Sequence, residues 1–171
     1  WWHRLMTDTG SNLVLNCSFS GTTICNTGYN GADCKNISFI ARMDKLIDSG
    51  YFTENSIDTV FIFGGTNDNW AGSPVGELKF ENFEIKDLYS VLPAFCYLLI
   101  RIKANIQNAR VINIINTDLK QEIRENMKIA CEKYGVEVIE LQDFDRLNGH
   151  PSVLGMSQIE KQVLDYLNNA K

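Results

Sequence analysis

One short segment, residues 58–63 (Asp-Thr-Val-Phe-Ile-Phe), limits the fold more than any other part of the chain. It is rich in β-branched and aromatic residues, lacks alternation with polar residues, and leads directly into Gly64 and Gly65. Such a run is typical of a strand buried on both faces, as in the centre of a parallel sheet. Parallel neighbours need long crossover connections, which are usually helices. The segment therefore favours an α/β architecture.

The rest of the chain alternates between strand-like and helix-like segments, as that architecture requires. Gly10 is expected to end the first helix and Ser38 to cap the second, while Pro93 is a candidate kink in the third. Helices are predicted over residues 1–6, 38–47, 85–107, 119–134 and 153–167, and further strands over 12–19, 110–115 and 136–141. The pattern predicts one open, mostly parallel sheet in a single domain, residues 1–171.

The composition argues against two classes of protein. Lys and Arg number 16 against 21 Asp and Glu, which gives a net charge of −5 without a basic cluster, so nucleic acid is not an expected partner. The most apolar run, residues 91–102, is interrupted by Pro93 and Arg101, whereas a membrane-spanning helix needs about 20 apolar residues. We therefore expect no membrane partner and a soluble protein, either cytoplasmic or exported.

The cysteines and histidines give no sign of a metal site. The five cysteines form no C-x-x-C pair, so free or buried thiols are expected, with one bridge within the first three as the alternative. Only His3 and His150 are available as imidazole ligands, and neither lies at zinc-ligand spacing from a cysteine pair. The cysteines are Cys17, Cys25, Cys34, Cys96 and Cys131.

Functional groups in an open parallel sheet gather where the strands end. Residues 18–25, 64–70 and 143–155 each follow a predicted strand. Asn67 can present a side-chain amide as an oxyanion donor, although it also fits a helix cap after a glycine turn. The Gly21 N–H can face the same cleft, although the segment also fits an ordinary polar loop. His150 is held extended by Pro151 at the entrance to a helix, where it can reach the cleft.

The order and spacing of these segments resemble the SGNH branch of the GDSL hydrolase superfamily. The second block of that family ends in a glycine, the third is G-x-N-D, and the last is D-x-x-H-P. The matching residues are Gly21, then Gly65-Thr66-Asn67-Asp68, then His150-Pro151. The resemblance covers nearly the whole chain, and residues 18–31 look more narrowly like a bacterial subgroup.

The resemblance implies a fold and a chemistry. The implied fold is a three-layer α/β/α, flavodoxin-like sheet with strand order 2-1-3-4-5. The implied protein is a bacterial carboxylester hydrolase, an acyl or acetyl esterase that works without metal or organic cofactor. His150 is then the general base, and Asn67 with the Gly21 N–H stabilises the oxyanion. The expected substrate is a small-molecule ester or an acylated glycan, with Trp70 and Tyr29 as substrate-binding residues.

The chain departs from the family pattern at its first block. No Gly-Asp-Ser occurs, so the nucleophilic serine and its central strand are missing, and the domain is expected to be truncated at its amino end and inactive as given. Residues able to replace the serine lack the tight strand-to-helix turn that exposes a nucleophile. They are Cys17, Ser18, Ser20, Cys25 and Ser152. The lost strand should leave a gap with unpaired backbone edges, which another segment or a second copy of the chain can fill.

A second departure concerns the orientation of the histidine. Leu147 stands where the family has an aspartate, three residues before His150. Asp145 is the candidate to orient the imidazole instead, with Asp143 nearby. The alternative to an esterase is a non-catalytic α/β remnant or binding module, in which Asn67, Trp70 and Tyr29 would hold a carbohydrate or small ligand.

Overall fold

A computed structural model describes residues 1–169 of the chain. Within them, seven α-helices, five strands and two short 3₁₀ helices follow one another. The helices are α1 (Trp2–Thr9), α2 (Phe39–Asp48), α3 (Tyr51–Glu54), α4 (Thr66–Ala71), α5 (Val91–Asn105), α6 (Gln121–Tyr134) and α7 (Val153–Asn169). The strands are β1 (Thr59–Phe63), β2 (Arg110–Ile115), β3 (Glu137–Glu140), β4 (Arg146–Leu147) and β5 (His150–Pro151), and the 3₁₀ helices are Tyr29–Gly31 and Ile85–Tyr89.

The main sheet has three parallel strands in the order β1-β2-β3. Val60 pairs with Val111, and Asn113 pairs with Val138. Helices α2, α5 and α6 pack on one face of this sheet, and α1 and α7 pack on the other. The predicted α/β/α arrangement with an open parallel sheet is therefore confirmed.

Side chains that alternate along β2 divide the interior into two cores. Val111 and Ile115 belong to the core beneath α5 and α6, whereas Ile112 and Ile114 belong to the core beneath α1 and α7. Burial on both faces explains why the strands are apolar runs without polar alternation. None of the helices in residues 1–169 is long and apolar enough to cross a membrane.

The predicted strand over residues 12–19 is wrong. These residues form no regular secondary structure, and their apolar side chains, such as Leu13 and Phe19, are exposed. A strand needs a neighbour to complete its hydrogen bonds, and nothing in the described part of the chain pairs with this segment. It is attached through side chains instead: Arg42 donates to the Cys17 carbonyl at 2.6 Å, and Tyr51 donates to the Val14 carbonyl at 3.3 Å.

The long helix predicted over residues 85–107 is also wrong in its extent. It is divided at Ser90, which is extended and separates the 3₁₀ helix Ile85–Tyr89 from α5. Pro93 lies in the first turn of α5, where the missing N–H would have no partner within the helix, so it causes no kink. The cap predicted at Ser38 is confirmed, because its hydroxyl accepts the Ala41 N–H at 3.3 Å.

A groove of about 700 Å³ runs beside β1 at the level of the sheet. We call it the edge groove. Residues 11–18 form one wall and β1 forms the other, with α1 on one side of the sheet plane and α2 and α5 on the other. The Asp58 carbonyl accepts the Arg110 N–H, so the alternate residues Thr59, Phe61 and Phe63 direct their backbone groups into the groove. The groove thus has the surroundings of a sheet strand.

Candidate active site

The turn from β1 into α4 places Asn67 at the carboxyl end of the sheet. Gly65 has φ of +94°, a left-handed conformation that favours glycine. A side chain at Gly64 would meet the Phe39 ring at 2.5 Å. The two glycines therefore let the chain turn sharply from a buried strand into a helix, with Asn67 in the first turn of that helix.

The amide of Asn67 is held by two hydrogen bonds. Its Nδ2 donates to the Thr22 carbonyl at 2.8 Å, and its Oδ1 accepts the Tyr29 hydroxyl at 3.1 Å. Since an amide nitrogen carries two N–H groups, one remains for a ligand. The Thr22 carbonyl can only accept a hydrogen bond, so it fixes which end of the amide is the donor end.

Asp68, the next residue, is buried, with 1% of its surface exposed. Its carboxylate accepts the Ile24 N–H at 2.9 and 3.0 Å and the Cys25 N–H at 3.1 Å. Burial raises the pKa of the Asp68 carboxyl, and the backbone N–H bonds oppose that rise. These bonds join α4 to the loop that carries Thr22, so Asp68 helps to set where the predicted oxyanion donors lie.

Gly21 lies at the exposed start of this loop. Its φ of +74° is left-handed, and no side-chain atom would crowd a Cβ there. Among residues 1–169 its N–H has no hydrogen-bond partner. The predicted pair of oxyanion donors, Gly21 and Asn67, is therefore carried by one loop and one helix that are bonded to each other.

His150 lies in an antiparallel hairpin, residues 146–151, which we call the His hairpin. Leu147 pairs with His150, and the turn between them is Asn148-Gly149 with φ of +52° and +80°. Two positive φ values identify the type I′ turn that matches the twist of paired strands. The His150 ring meets the Trp70 ring edge to face, with centroids 5.3 Å apart. Since Trp70 belongs to α4, the hairpin contacts the helix that carries Asn67.

The two aspartates considered for orienting His150 are engaged elsewhere. Asp145 accepts the Ser152 hydroxyl, and Asp143 accepts Arg146 at 2.8 Å. Within residues 1–169 neither carboxylate bonds to the imidazole. Leu147 lies directly opposite His150 in the hairpin but offers no acceptor. The orienting role predicted for Asp145 has no hydrogen bond to support it.

Trp70 and Tyr29, the two aromatic residues predicted to bind substrate, differ in how available they are to a ligand. The Trp70 side chain remains 39% exposed beside His150, so it can contact a ligand. Tyr29 is exposed as well, but its hydroxyl is engaged by Asn67. The geometry therefore gives Tyr29 a task in holding the amide, in addition to any contact with substrate.

None of the residues considered as replacement nucleophiles has the surroundings that a nucleophile needs. Cys25 is buried, its thiol faces the Thr27 carbonyl, and desolvation raises its pKa to about 12. Ser152 caps α7 by accepting the Gly155 N–H at 3.1 Å. Cys17, Ser18 and Ser20 lie in the exposed irregular segment or just after it. All five cysteines of the chain are free thiols, as expected.

Sequence reasoning missed three features of the site: the loop-holding role of Asp68, the hairpin, and the contacts of Arg146. Asn-Gly between two short extended segments is a strong hairpin signal, so the sequence did contain a sign of that turn. Asp68 and Arg146 bond to partners 28 to 44 residues away, and such contacts leave no local pattern.

Comparisons with known proteins agree with this fold. The family model GDSL-like Lipase/Acylhydrolase matches residues 1–167. A crystal structure of a protein from Bacteroides ovatus described as a GDSL-like lipase superposes with a TM-score of 0.91 at 43% identity, over 99% of this chain and 78% of that chain. One from Bacteroides uniformis with the same description gives 0.91 at 42% identity, over 99% and 76%. The comparison with curated proteins found no match.

Proposed function

Since the chain belongs to the GDSL-like lipase/acylhydrolase family, whose members hydrolyse ester bonds, we propose that it carries the base and the oxyanion donors of a carboxylester hydrolase. One observation carries the proposal above the others. Asn67 keeps one amide N–H free on the same short helix whose Trp70 contacts His150. This supports the proposal, because a candidate oxyanion donor and a candidate base then lie at the same end of the sheet.

The roles follow from the chemistry of acyl transfer. A serine hydroxyl attacks the ester carbonyl carbon while His150 takes the hydroxyl proton. The carbonyl oxygen becomes an oxyanion that accepts N–H bonds from Asn67 and Gly21. When the C–O bond breaks, the alcohol leaves with the proton from His150, and water repeats the sequence to release the acid. These steps require no metal ion.

We propose further that the serine lies on a strand seated in the edge groove, and that the chain without this strand does not turn over ester. The groove offers the backbone edge of β1 and an opening at the level of the sheet. The centroid of the Trp1 ring lies 6.0 Å from that of Phe61 and 5.9 Å from that of Phe63. A strand parallel to β1 in the groove would therefore end close to Trp1. The Trp1 nitrogen is 3.6 Å from Met156 Sδ, near the start of α7, just after the His hairpin.

The preferred substrate in this proposal is an ester of a short acyl group, carried by a small alcohol or a glycan. Trp70 supports this choice because an aromatic face beside the base can pack against a sugar ring or an apolar alcohol. If acylated sugars bind without turnover even when the strand is present, the binding-module alternative is favoured instead.

The test begins with the gene and ends with an assay. We expect the reading frame ahead of Trp1 to encode an apolar strand that ends in Gly-Asp-Ser. Hydrolysis of p-nitrophenyl acetate should then be at background for residues 1–171 and clear for the longer protein. A fluorophosphonate probe should label the serine of that segment in the longer protein only.

Matched variants make the result specific. His150→Ala should abolish hydrolysis by the longer protein, whereas His3→Ala, at an exposed position on α1, should leave it unchanged. A gene without such a strand would overturn the proposed source of the nucleophile. Ester turnover by residues 1–171 that is lost in His150→Ala would show that the nucleophile lies within this chain.

A further inference from the structure

We propose that Arg146 is a positioning residue that fixes the His hairpin, and with it His150, relative to the helix that carries Asn67. The inference rests on the proposed function, because it concerns the separation of the base from the oxyanion donor. In this proposal the Arg146 guanidinium holds the histidine in place, a task that a carboxylate bonded to the imidazole would otherwise perform.

The Arg146 side chain is 19% exposed and is surrounded by acceptors from two segments. Its carbon Cζ lies 3.8 Å from the centroid of the Phe144 ring, so the guanidinium is also stacked. Its polar contacts are Asn116 Oδ1 (3.3 Å), Thr117 Oγ1 (2.5 Å), Asp118 Oδ1 (3.1 Å), Asp143 Oδ1 (2.8 Å) and the Phe144 carbonyl (3.2 Å). The guanidinium presents five N–H donors in a fixed plane, whereas an ammonium has three donors that rotate, so Arg suits this set of acceptors better than Lys.

Three of these acceptors belong to residues 116–118, which we call the linking loop. This loop follows β2 and is bonded to α4 at two points. Asn116 Nδ2 donates to Thr66 Oγ1 at 2.9 Å, and Asn69 Nδ2 donates to the Asp118 carbonyl at 3.2 Å. Thr66 and Asn69 lie on either side of Asn67 in the chain. Arg146 is therefore connected to α4, the helix that carries Asn67, through the linking loop alone.

The contacts close into a ring. Arg146 joins the His hairpin to the linking loop, the loop joins α4, and Trp70 of α4 returns to His150. A hairpin with strands of two residues has little stability of its own, so its position depends on such contacts. Because His150 has no carboxylate partner within residues 1–169, the hairpin sets the position of the imidazole. Arg146 is the only Lys, Arg, Asp or Glu among residues 146–151, and it reaches the linking loop.

The test compares Arg146→Met with Arg146→Lys in residues 1–171 and in the longer active protein. Arg101→Met is the matched control, since Arg101 pairs with Asp44 at 2.7 Å between α5 and α2, away from the site. In a His3→Gln background His150 is the only histidine, so its ring resonances are assigned at once.

We expect Arg146→Met to raise amide exchange in residues 146–150 by about tenfold and to shift the His150 ring resonances as Trp70 moves away. In the active protein kcat should fall about tenfold or more with KM within about twofold, since misplacing the base affects the chemical step. Arg146→Lys should recover only part of each effect, and Arg101→Met should change none.

Two results would overturn the inference. One is a folded Arg146→Met protein with unchanged hairpin exchange and unchanged His150 resonances. The other is full recovery by Arg146→Lys, which would mean that a positive charge suffices. If the exchange and resonance changes occur but no variant of the longer protein hydrolyses ester, the positioning stands and the proposed function fails.

Discussion

At the scale of single residues, Asn67 and Asp68 are neighbours in one motif but have different tasks. Asn67 keeps one amide N–H without a partner within residues 1–169, whereas Asp68 is buried and bonds the neighbouring loop. We expect Asn67→Ala to lower kcat of the active protein by about 10² to 10³, the usual effect of removing an oxyanion donor. Steady-state kinetics would show this, with Asn126→Ala on α6 as the matched control. A loss below about threefold would contradict the role.

Tyr29 allows a finer test at the same scale. Its hydroxyl donates to Asn67 Oδ1 at 3.1 Å, and Tyr29→Phe removes only this bond. A neutral hydrogen bond contributes about 1 kcal/mol, so kcat should fall about fivefold while the fold is retained. Unchanged kcat in Tyr29→Phe, measured beside wild type at several temperatures, would show that the amide keeps its orientation without this bond.

Asp68 is expected to matter for stability. An Asn at this position would turn an N–H group toward the Ile24 or Cys25 N–H, leaving a buried donor without an acceptor. We expect Asp68→Asn to lower the free energy of unfolding by about 2 kcal/mol. Urea unfolding at pH 7 measures this, and a loss under about 0.5 kcal/mol would mean that the loop is held by other contacts.

At the scale of elements, the Arg110 and Glu137 pair joins β2 to β3. Two hydrogen bonds from Arg110, at 2.7 and 2.6 Å, lower the pKa of the Glu137 carboxyl below its ordinary value of 4.5. A lowered folded-state pKa stabilises the fold above the unfolded value, and this contribution is lost as pH falls through the folded value. Since both side chains are about one-third exposed, the contribution is small, about 0.5 to 1 kcal/mol.

We therefore expect Glu137→Gln to be less stable than wild type at pH 7 by this amount, and the two proteins to converge near pH 3. Urea unfolding at both values provides the measurement. Glu125→Gln, which removes only an exposed pair on α6, is the control and should show a smaller difference. A difference that persists unchanged at pH 3 would rule out the ion pair as its cause.

Elements that depend on local signals were predictable, and those that depend on a distant partner were not. The apolar run of β1, the Ser38 cap and the Gly135 end of α6 are encoded within a few residues of one another. Residues 12–19 have strand-like composition, but no neighbour supplies their hydrogen bonds. The same distinction holds for the candidate site: Asn67 and His150 were predicted from motifs, whereas Arg146 contacts side chains about 30 residues away.

At the scale of the whole molecule, the edge groove leaves apolar surface and backbone groups of β1 open. We expect residues 1–171 to bind the dye ANS under native conditions and to form dimers at high concentration, because an open edge can pair with another chain. Light scattering after gel filtration measures the second effect. The longer protein, with its groove occupied, should show neither. If residues 1–171 stay strictly monomeric and do not raise ANS fluorescence, the groove is not an open apolar edge.

The order of the strands has a consequence for how the protein reaches its folded state. In the sheet β1-β2-β3 every strand pairs with the next strand in the chain, but each pairing joins distant residues: Thr59 lies beside Arg110, and Ile112 lies beside Glu137. Parallel pairings of this kind form slowly, because the entropy of closing a long loop is lost before the pairing stabilises the chain. A strand that enters the edge groove would add one more such pairing, with β1 as its neighbour. Completing the active site would therefore be among the slow steps of folding.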